Sequence, residues 1–368
     1  MKINKVELIH LSLPMRYSFT TGFGTISHRE TLLVKLTTSD GLVGYGESAA
    51  LTEPLYLAET IGTCKHIIRD CIAPRIKGIE LDIKTYVERV KDIREHQIAK
   101  YGVECAIWMI TSIEKNVSLT QLLGGTQKSI EIGESIGILP KVKETLNLIQ
   151  KRIGQGYKRI KLKIHPGWDL NLIKTVRKQY PGILLMVDAN SSYSLKDMKI
   201  LTELDKLNLL MIEQPLGYSD LVDHAKLQKT LNTSICLDES ITSYDQARYA
   251  IELGACRIIN VKPGRVGGLS HVIKINNLAK IHHIPLWCGG MLESDIGKAY
   301  NLAAASLSEF SLSADSTDTG QLYSEDLTIE GIHIYDGVIK VSEIPGLGYT
   351  VNEKMINKYT LNKEEINL

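Results

Sequence analysis

Five ionisable residues recur at nearly equal intervals in the middle of the chain. They are Lys163, Asp188, Glu213, Asp238 and Lys262, and successive members are 25, 25, 25 and 24 residues apart. Three carboxylates in one cleft suit a hard divalent cation such as Mg²⁺, which takes oxygen ligands. A lysine on each side of the metal, its pKa lowered by neighbouring positive charge, would be a neutral base near pH 7. The pattern predicts removal of a proton α to a carboxylate, with the metal stabilising the resulting enediolate.

The elements that position these residues read as short strands alternating with helices. Eight strand-like runs, each separated by an amphipathic segment, are SIEIGESIGI, YKRIKLKI, GILLMVDAN, NLLMIEQP, TSICLDES, CRIINVKP, IPLWCGG and FSLSADS. Eight such repeats predict an α/β fold of the (β/α)8 (TIM-type) barrel kind, in which strand carboxyl ends meet at one mouth. A doubly wound sheet is disfavoured because no G-x-G-x-x-G follows a strand.

The two ends of the chain predict a second unit. KVELIHLSLPM alternates like a strand, and RETLLVKLTTSDGLVGYGES predicts two strands around a turn at Asp40-Gly41. The pattern is helical from Pro54 to about Asn116, and it alternates again in the tail. We expect an α+β capping domain at 1–125, a barrel at 126–319, and a segment at 320–368 that packs back on the capping domain.

The stretch YKRIKLKIHPGWD, residues 157–169, tests this arrangement. Its apolar residues lie on one face of a strand, and the opposite face carries Arg159, Lys161 and Lys163. Buried lysines are costly unless they are paired. In a barrel they face the carboxylates of the neighbouring strands. Lys161 then either stabilises developing negative charge or simply pairs with a carboxylate.

Composition excludes several classes of protein. The chain has 368 residues, 43% of them hydrophobic, and a net charge of +1. This balance gives no electrostatic argument for binding nucleic acid or an anionic membrane surface. The expected partner, a small carboxylate substrate, follows instead from the lysine and carboxylate pattern. No run of 18 apolar residues or signal peptide is apparent, and the six cysteines form no CxxC pair. These features predict a reducing cytoplasm.

One motif points to a different chemistry. Gly133-Glu134-Ser135-Ile136-Gly137 matches the G-x-S-x-G nucleophile elbow. The elbow needs an immediate strand-turn-helix, and Pro140 follows before any helix begins, so a serine hydrolase is disfavoured. We expect Ser135 to line the mouth as a hydrogen-bonding residue. The glycines of the CGG strand end, Gly289 and Gly290, are expected to let the backbone approach the substrate.

Several motifs together resemble one known family. KLKIHPGWD, MVDANSSYS, MIEQPL, CLDES, NVKPGRVGG and WCGGMLESDIGKAYNLAAASL resemble the enolase superfamily, its muconate-lactonizing-enzyme subgroup, and most of all the o-succinylbenzoate synthase / N-succinylamino acid racemase family. The resemblance implies that Asp188, Glu213 and Asp238 hold Mg²⁺, with Mn²⁺ as the alternative metal. It also implies a base at Lys163 on one face, Lys262 on the other, and a charge-stabilising Lys161.

The resemblance, which covers almost the whole chain, implies further roles and a homo-oligomer, a dimer or octamer. The segment 17–30 resembles a mobile loop that closes over the site. The implied substrate contacts are Phe19, Thr20, Asn190 and Met291, beside Ser135, Gly289 and Gly290. Behind them stand Glu239 and Arg265; Arg265 either tunes the pKa of Lys262 or forms a surface ion pair. Met109 departs from the family, whose members usually carry Asp there, which leaves the packing of that helix open.

The reaction itself stays open at this point. A synthase would dehydrate a cyclohexadiene carboxylate in menaquinone biosynthesis, and a racemase would act on N-succinylamino acids; one chain could do both. A dipeptide epimerase would use Asp315 and Asp318 to bind an ammonium group, and a muconate cycloisomerase-like enzyme is a further alternative. A catalytically inactive barrel used as a binding scaffold is disfavoured because all five motif residues are present.

Overall fold

The computed structural model describes residues 1–21 and 24–368. An antiparallel sheet with the strand order β13-β1-β2-β3 joins the two ends of the chain. Its strands are β1 (Ile3–Thr21), β2 (Gly24–Thr38), β3 (Val43–Ser48) and β13 (Thr360–Asn367). Because β13 pairs with β1, the tail packs on the N-terminal sheet, as predicted. The boundaries at 125/126 and 319/320 stay predictions.

Helices cover one face of this sheet. They are α1 (Ile61–His66), which continues through a π-helical turn into α2 (Ala73–Ile76), then α3 (Ile83–Val90), α4 (Gln97–Lys115) and α5 (Leu119–Leu123). Helix α4 lies so close to β3 that a Cβ at Gly46 would stand 1.9 Å from the carbonyl oxygen of Gly102. Met109 fits this contact, since its sulfur accepts the Tyr45 N–H at 3.3 Å.

The middle of the chain forms the predicted barrel. Its eight parallel strands are β4 (Ser129–Ile136), β5 (Arg159–Lys163), β6 (Leu184–Asp188), β7 (Ile212–Glu213), β8 (Ile235–Leu237), β9 (Ile258–Val261), β10 (Leu286–Cys288) and β11 (Ala314–Asp315). They pair in chain order, and β11 pairs with β4. The gap between β10 and β11 is bridged by backbone bonds on both sides of Leu286, to Glu309 at 2.9 Å and Leu312 at 3.4 Å.

Helices occupy the connections between these strands. They are α6 (Val142–Gly154), α7 (Leu170–Gln179), α8 (Met198–Asp205), α9 (Leu221–Thr230), α10 (Tyr244–Leu253), α11 (Pro263–Val266), α12 (Leu269–His282) and α13 (Asp295–Ala305). After β11, a short strand β12 (Val338–Lys340) pairs with β4, and helix α14 (Glu353–Tyr359) leads into β13. Among the described residues, no helix has both the length and the apolar character needed to cross a membrane.

Strand β5 explains the lysine-rich stretch. All five of its residues are buried, because one face packs against the surrounding helices and the other fills the barrel interior. The interior floor is built around Trp287, which lies with Met186, Met211, Cys236 and Ile258. Arg159 and Lys161 stand over the Trp287 ring at 4.9 and 4.7 Å from its centroid. Both cations are thus held by an aromatic face inside the barrel.

Two buried charges join the capping sheet to the loop that follows β10. Arg29, 1% exposed, donates to backbone carbonyls on both sides, including Ala49 at 2.7 Å and Leu292 at 3.1 Å. Glu47 accepts from the Ser294 hydroxyl at 2.6 Å and from the Gly297 N–H at 3.0 Å at the start of α13. This capped helix start lies beside the barrel mouth, so the capping sheet sets the position of the loop.

Replacing Arg29 with methionine tests this link. The carbonyls that Arg29 satisfies would stay buried without a donor, and we expect the free energy of unfolding to fall by about 3 kcal/mol. Chemical denaturation measures the change. Arg94→Met, at an exposed arginine, is the control and should alter stability by less than about 0.5 kcal/mol. Equal effects of the two substitutions would show that the buried guanidinium does not join the units.

Candidate active site

The five predicted residues meet at the barrel mouth. Lys163, Asp188 and Glu213 end β5, β6 and β7, and Asp238 and Lys262 come directly after β8 and β9. Parallel pairing places Lys163 beside Asp188 and Asp188 beside Glu213. The Lys163 ammonium donates to Asp188 Oδ2 at 2.6 Å, and the Lys262 ammonium to Asp238 Oδ2 at 2.9 Å. All five are at least nine-tenths buried.

Lys161 lies one layer deeper in the barrel. Its ammonium is 2.5 Å from Asp315 Oδ2, 3.4 Å from Glu213 Oε2 and 3.7 Å from Asp188 Oδ2. Asp315 also contacts Arg159, at 2.6 Å. Lys161 therefore pairs with carboxylates. Because it lies one layer below the mouth, its ammonium can also stabilise negative charge that develops on a substrate above it.

The surrounding protein groups raise the pKa values of two lysines at the site. Burial disfavours the charged form of Lys161, but Asp315 and Glu213 outweigh burial and raise its pKa. Burial likewise disfavours the charged form of Lys262, but Tyr56 and Glu213 outweigh burial and raise its pKa. These directions follow from the protein groups alone, since each of the two side chains directly contacts negative or phenolic oxygen; the expected lowering of the flanking lysines' pKa values by a bound metal stays a prediction.

The carboxylates respond to the same surroundings. Burial, followed by the charge of Asp188, raises the pKa of Glu213. Burial also acts to raise the pKa of Asp188, but the positive charges of Lys163 and Lys161 outweigh burial and lower it. Burial, followed by the charge of Asp188, raises the pKa of Glu239 to about 7. Burial is thus the largest cause of both raised pKa values.

The three carboxylates supply the oxygen ligands that a hard cation prefers, but their positions in this structure do not form a ligand cluster. Among residues 1–21 and 24–368, no three His, Cys, Asp or Glu side chains converge closely enough to hold a metal ion. Lysine ammonium groups contact the outer two carboxylates. However, Glu213 Oε2 is buried and forms an ion pair with Lys161 at 3.4 Å but no hydrogen bond, and Asn260 donates to the other oxygen at 2.7 Å. A buried carboxylate oxygen short of donors suits a divalent cation.

Tyr56, which the sequence reasoning missed, joins this group from the capping unit. Its hydroxyl donates to Asp238 Oδ2 at 3.1 Å and accepts from Lys262 at 2.7 Å, and Lys262 also stands 4.7 Å from its ring centroid. No pattern marked it, because it lies in the irregular segment between β3 and α1. Arg265 is 1% exposed and contacts both Tyr56 and Asp238. It is therefore not a surface ion pair.

Asn190 and Glu239 connect the two sides of the mouth. Asn190 accepts from the Lys163 ammonium at 2.8 Å and donates to Glu239 Oε1 at 2.9 Å. Its φ of 41° is in the left-handed region, where asparagine is tolerated better than most residues. The backbone turn after β6 thus directs this amide at the lysine.

A cleft of about 1100 Å³, including its open outer part, lies over these residues. Of the predicted substrate contacts, those that line it are Phe19, Ser135, Asn190, Gly290 and Met291. Thr20 and Gly289 are not among the lining residues. The Thr20 hydroxyl bonds to that of Thr25 at 2.9 Å, and Gly289 donates its N–H to Asn260 at 2.9 Å.

Further lining residues, from β1 of the capping sheet and from α13 and the segment after β11, were not predicted from the sequence. They include Tyr17, Lys298, Asn301, Ser316, Thr317 and Gln321. Lys298 and Asn301 are three residues apart, which places both on one face of α13. That spacing was visible, but only the fold shows that this face of the helix borders the cleft.

Two local expectations have clear outcomes. Residues 17–21 and 24–30 of the predicted loop belong to β1 and β2, in which Phe19, Thr20 and Thr21 pair with Ile26, Thr25 and Gly24; residues 22 and 23 lie outside the described residues, and closure over the site stays a prediction. These strand ends contact the barrel, since the Thr20 carbonyl accepts the Ile138 N–H at 3.0 Å. The G-x-S-x-G stretch ends β4, and α6 begins only at Val142, which excludes a nucleophile elbow.

Comparison with known proteins identifies the family. Residues 144–355 match the family described as "Enolase C-terminal domain-like", and residues 4–124 match "Mandelate racemase / muconate lactonizing enzyme, N-terminal domain". The chain belongs to the mandelate racemase / muconate lactonizing enzyme family of the enolase superfamily. Both matches together span the capping sheet, its helices and most of the barrel.

Individual members of this superfamily are similar over nearly the whole chain. The o-succinylbenzoate synthase of Bacillus subtilis (strain 168) is 45% identical over 97% of this chain and 96% of its own length. The N-succinylamino acid racemase of Thermus thermophilus is 41% identical over 98% of both. A crystal structure of an enolase superfamily member from Listeria innocua superposes with a TM-score of 0.96, at 38% identity, over 100% of this chain and 99% of that one.

Proposed function

We propose that this protein removes a proton α to a carboxylate, as an o-succinylbenzoate synthase, an N-succinylamino acid racemase, or both. The observation that carries the proposal is the placement of the two lysines. Lys163 on β5 and Lys262 after β9 lie on opposite sides of the ring of strands, with the three carboxylates between them on β6, β7 and β8. Relatives with both activities support it.

We assign Asp188, Glu213 and Asp238 to a divalent cation, Mg²⁺ or alternatively Mn²⁺. When bound, the cation supplies positive charge that stabilises the doubly negative carboxylate left after the proton departs. Asn260 holds Glu213, and Tyr56 and Arg265 hold Asp238. Lysine contacts with the same carboxylates supply positive charge on either side of them.

The lysines then perform the proton transfers. In racemisation, neutral Lys163 takes the α-proton from one face and protonated Lys262 returns a proton to the other, or the reverse. In dehydration, Lys163 takes the α-proton and delivers it to the departing hydroxide on the same face, which leaves as water. Lys262 stays a cation in that reaction. Lys161, charged and buried beneath the mouth, stabilises the developing negative charge.

A dipeptide epimerase fits the structure less well. Asp315 is already paired with Lys161 and Arg159. Asp318 is bonded to His333 at 3.2 Å and to the Ile334 N–H at 2.7 Å, and it does not line the cleft. Neither acid is available for a substrate ammonium. A muconate cycloisomerase-like reaction stays a candidate, since it uses the same placement of groups.

Hydrogen exchange in D₂O tests the proposal. We expect deuterium at the α-carbon of N-succinylamino acids, observed by proton NMR, or conversion of the cyclohexadiene carboxylate followed by absorbance. Dipeptides and muconate serve as comparison substrates. If none of these compounds exchanged its α-proton or was converted, the alternative of a catalytically inactive binding scaffold would be favoured.

Replacing Lys262 with arginine separates the two reactions. Arginine keeps the positive charge but does not deprotonate near neutral pH. Racemisation, which needs a base on both faces, should therefore fall by about 100-fold or more, and dehydration should fall much less. Steady-state kinetics on both substrates measures the difference. Equal losses would contradict a two-base racemisation.

The remaining assignments are proposals of the same kind. We propose a cytoplasmic homo-oligomer, a dimer or octamer, built from domains at 1–125, 126–319 and 320–368. None of the six cysteines is in a disulfide, which is usual in a reducing compartment. Light scattering after gel filtration measures the number of subunits.

A further inference from the structure

The two proposed bases are held in different ways. Lys163 is the last residue of β5, and it is paired with Asp188 of the neighbouring strand β6. Lys262 comes directly after Val261, the last paired residue of β9, and it begins the single helical turn α11. The sheet therefore fixes Lys163, whereas the position of Lys262 also depends on the segment that follows it.

The segment 262–268, which carries Lys262, is bonded into one unit. The Lys262 carbonyl accepts the Arg265 N–H at 2.9 Å, and the Pro263 carbonyl accepts the Gly268 N–H at 3.0 Å. These two bonds join the start of the segment to its middle and its end. A displacement of the end is therefore transmitted to the lysine.

One face of helix α4, from the capping unit, lies against this segment. Gln97 and Glu104 are two helical turns apart on that face. A Cβ at Gly267 would stand 2.3 Å from the Gln97 side-chain oxygen, and a Cβ at Gly268 would stand 2.0 Å from Glu104 Oε2. Two successive glycines thus let the side chains of α4 reach the backbone of the segment.

Glu104 joins the end of the segment to α4. It is 1% exposed, and its Oε1 accepts the Ser270 N–H at 2.8 Å and the Trp108 indole N–H at 2.9 Å. Ser270 lies in the first turn of α12, whose N-cap residue, Gly268, has no side chain that could accept this N–H. Glu104 therefore caps α12 from the capping unit, and its negative charge lies at the positive end of that helix.

We propose that Glu104 is a positioning residue for Lys262. By capping α12 it fixes the segment that carries this lysine, and so it supports proton transfer on one face of the substrate. The inference rests on the proposed function, in which Lys163 and Lys262 act on opposite faces. Loss of the contact should displace Lys262 and leave Lys163 in the sheet. A shift of about 1 Å in a reacting group can cost roughly 100-fold in rate.

Exchange of the α-proton in D₂O separates the two lysines. Each enantiomer of one N-succinylamino acid presents its α-proton to a different lysine, which removes the proton, exchanges it with the solvent and returns a deuteron. Proton NMR measures the two initial exchange rates, and their ratio in one preparation cancels differences in the folded fraction. Lys262→Arg should lose exchange of one enantiomer, which identifies the enantiomer that depends on Lys262.

Three substitutions of Glu104 then test the contact. Glu104→Ala leaves the Ser270 N–H without its acceptor and should lower exchange of the Lys262-dependent enantiomer about tenfold more than that of the other. Glu104→Asp keeps the charge but draws the carboxylate back by one methylene group, and should change the ratio by about threefold or more. Glu104→Gln keeps the length and an accepting oxygen for both N–H groups, so its ratio should stay within about twofold of wild type.

The controls separate positioning from a general structural role. Glu114→Ala, at an exposed glutamate on the same helix, should leave the ratio unchanged. A merely structural Glu104 would lower both exchange rates alike. An unchanged ratio in Glu104→Asp and in any folded Glu104→Ala overturns the assignment.

The wild-type protein supplies the remaining outcomes. Exchange of one enantiomer only, conversion of the cyclohexadiene carboxylate without any exchange, or equal losses in Lys262→Arg would also overturn the assignment, because Lys262 would then have no proton transfer of its own to support. If wild-type protein neither exchanged nor converted any of these compounds, the proposed function itself would fail.

Discussion

Lys163→Ala should lower kcat/KM for racemisation and for dehydration by about 10³-fold or more, because a positioned general base typically contributes factors of 10² to 10⁴. The effect follows from the location of the ammonium, 2.6 Å from Asp188 and 2.8 Å from Asn190 at the end of β5. No other lysine on that side of the mouth can replace it, since Lys161 is held one layer below by Asp315. Steady-state kinetics on both substrates measures the loss.

The matched control lies in the same segment. Lys158 is exposed and directly precedes β5, so Lys158→Ala removes the same side chain without entering the barrel. It should leave kcat/KM within about twofold of wild type and stability within about 0.5 kcal/mol. Circular dichroism and thermal unfolding confirm that Lys163→Ala is folded. A folded variant with near-normal activity would remove Lys163 from the mechanism.

Removing divalent cations should abolish both reactions, and adding Mg²⁺ should restore them. The carboxylates at the ends of β6 and β7 and directly after β8 are buried, and Glu213 Oε2 has an ion pair with Lys161 but no hydrogen bond, so we expect the cation to bind at this group of acids. Chelation followed by titration with Mg²⁺ gives the activity curve. Calorimetric titration of Mg²⁺ into the metal-free protein gives the binding curve independently of turnover.

Glu213→Gln tests the same site from the protein side. It removes the central negative charge, and we expect Mg²⁺ binding to weaken by at least tenfold and activity to fall with it. Glu131→Gln, at an exposed glutamate on β4, is the control and should bind Mg²⁺ as wild type does. Full activity after chelation, or unchanged Mg²⁺ binding in Glu213→Gln, would refute the metal assignment.

Much of the fold could be predicted because it depends on periodic patterns. Strand-like runs alternating with amphipathic segments specify a barrel, since each run must bury both faces and each helix only one. The near-constant spacing then brings Lys163, Asp188, Glu213, Asp238 and Lys262 to one mouth, because equivalent positions in successive repeats lie at equivalent heights. The burial of Lys161 and Lys163 follows from the same alternation.

Contacts between distant segments could not be predicted. Tyr56 reaches Lys262 across 206 residues, and Arg29 reaches the loop after β10 across 263. No local periodicity records such pairings, since they arise only when the capping sheet docks on the barrel. The segment 17–30 resembles a mobile loop of the family, and the resemblance does not show that Phe19–Thr21 pair with Gly24–Ile26 as ends of β1 and β2.

Charge state was also decided by the tertiary structure. Composition places lysines and carboxylates in one cleft, but the pKa of Lys262 depends on burial, on the Tyr56 hydroxyl and on Glu213. Asp315 looked available for a substrate, and the structure shows it paired with Lys161 and Arg159. Which groups share the mouth can be inferred from the amino-acid sequence, because strand repeats are local. Which of them stay available to a substrate depends on the folded protein, because pairing depends on distances of a few ångströms between separate elements.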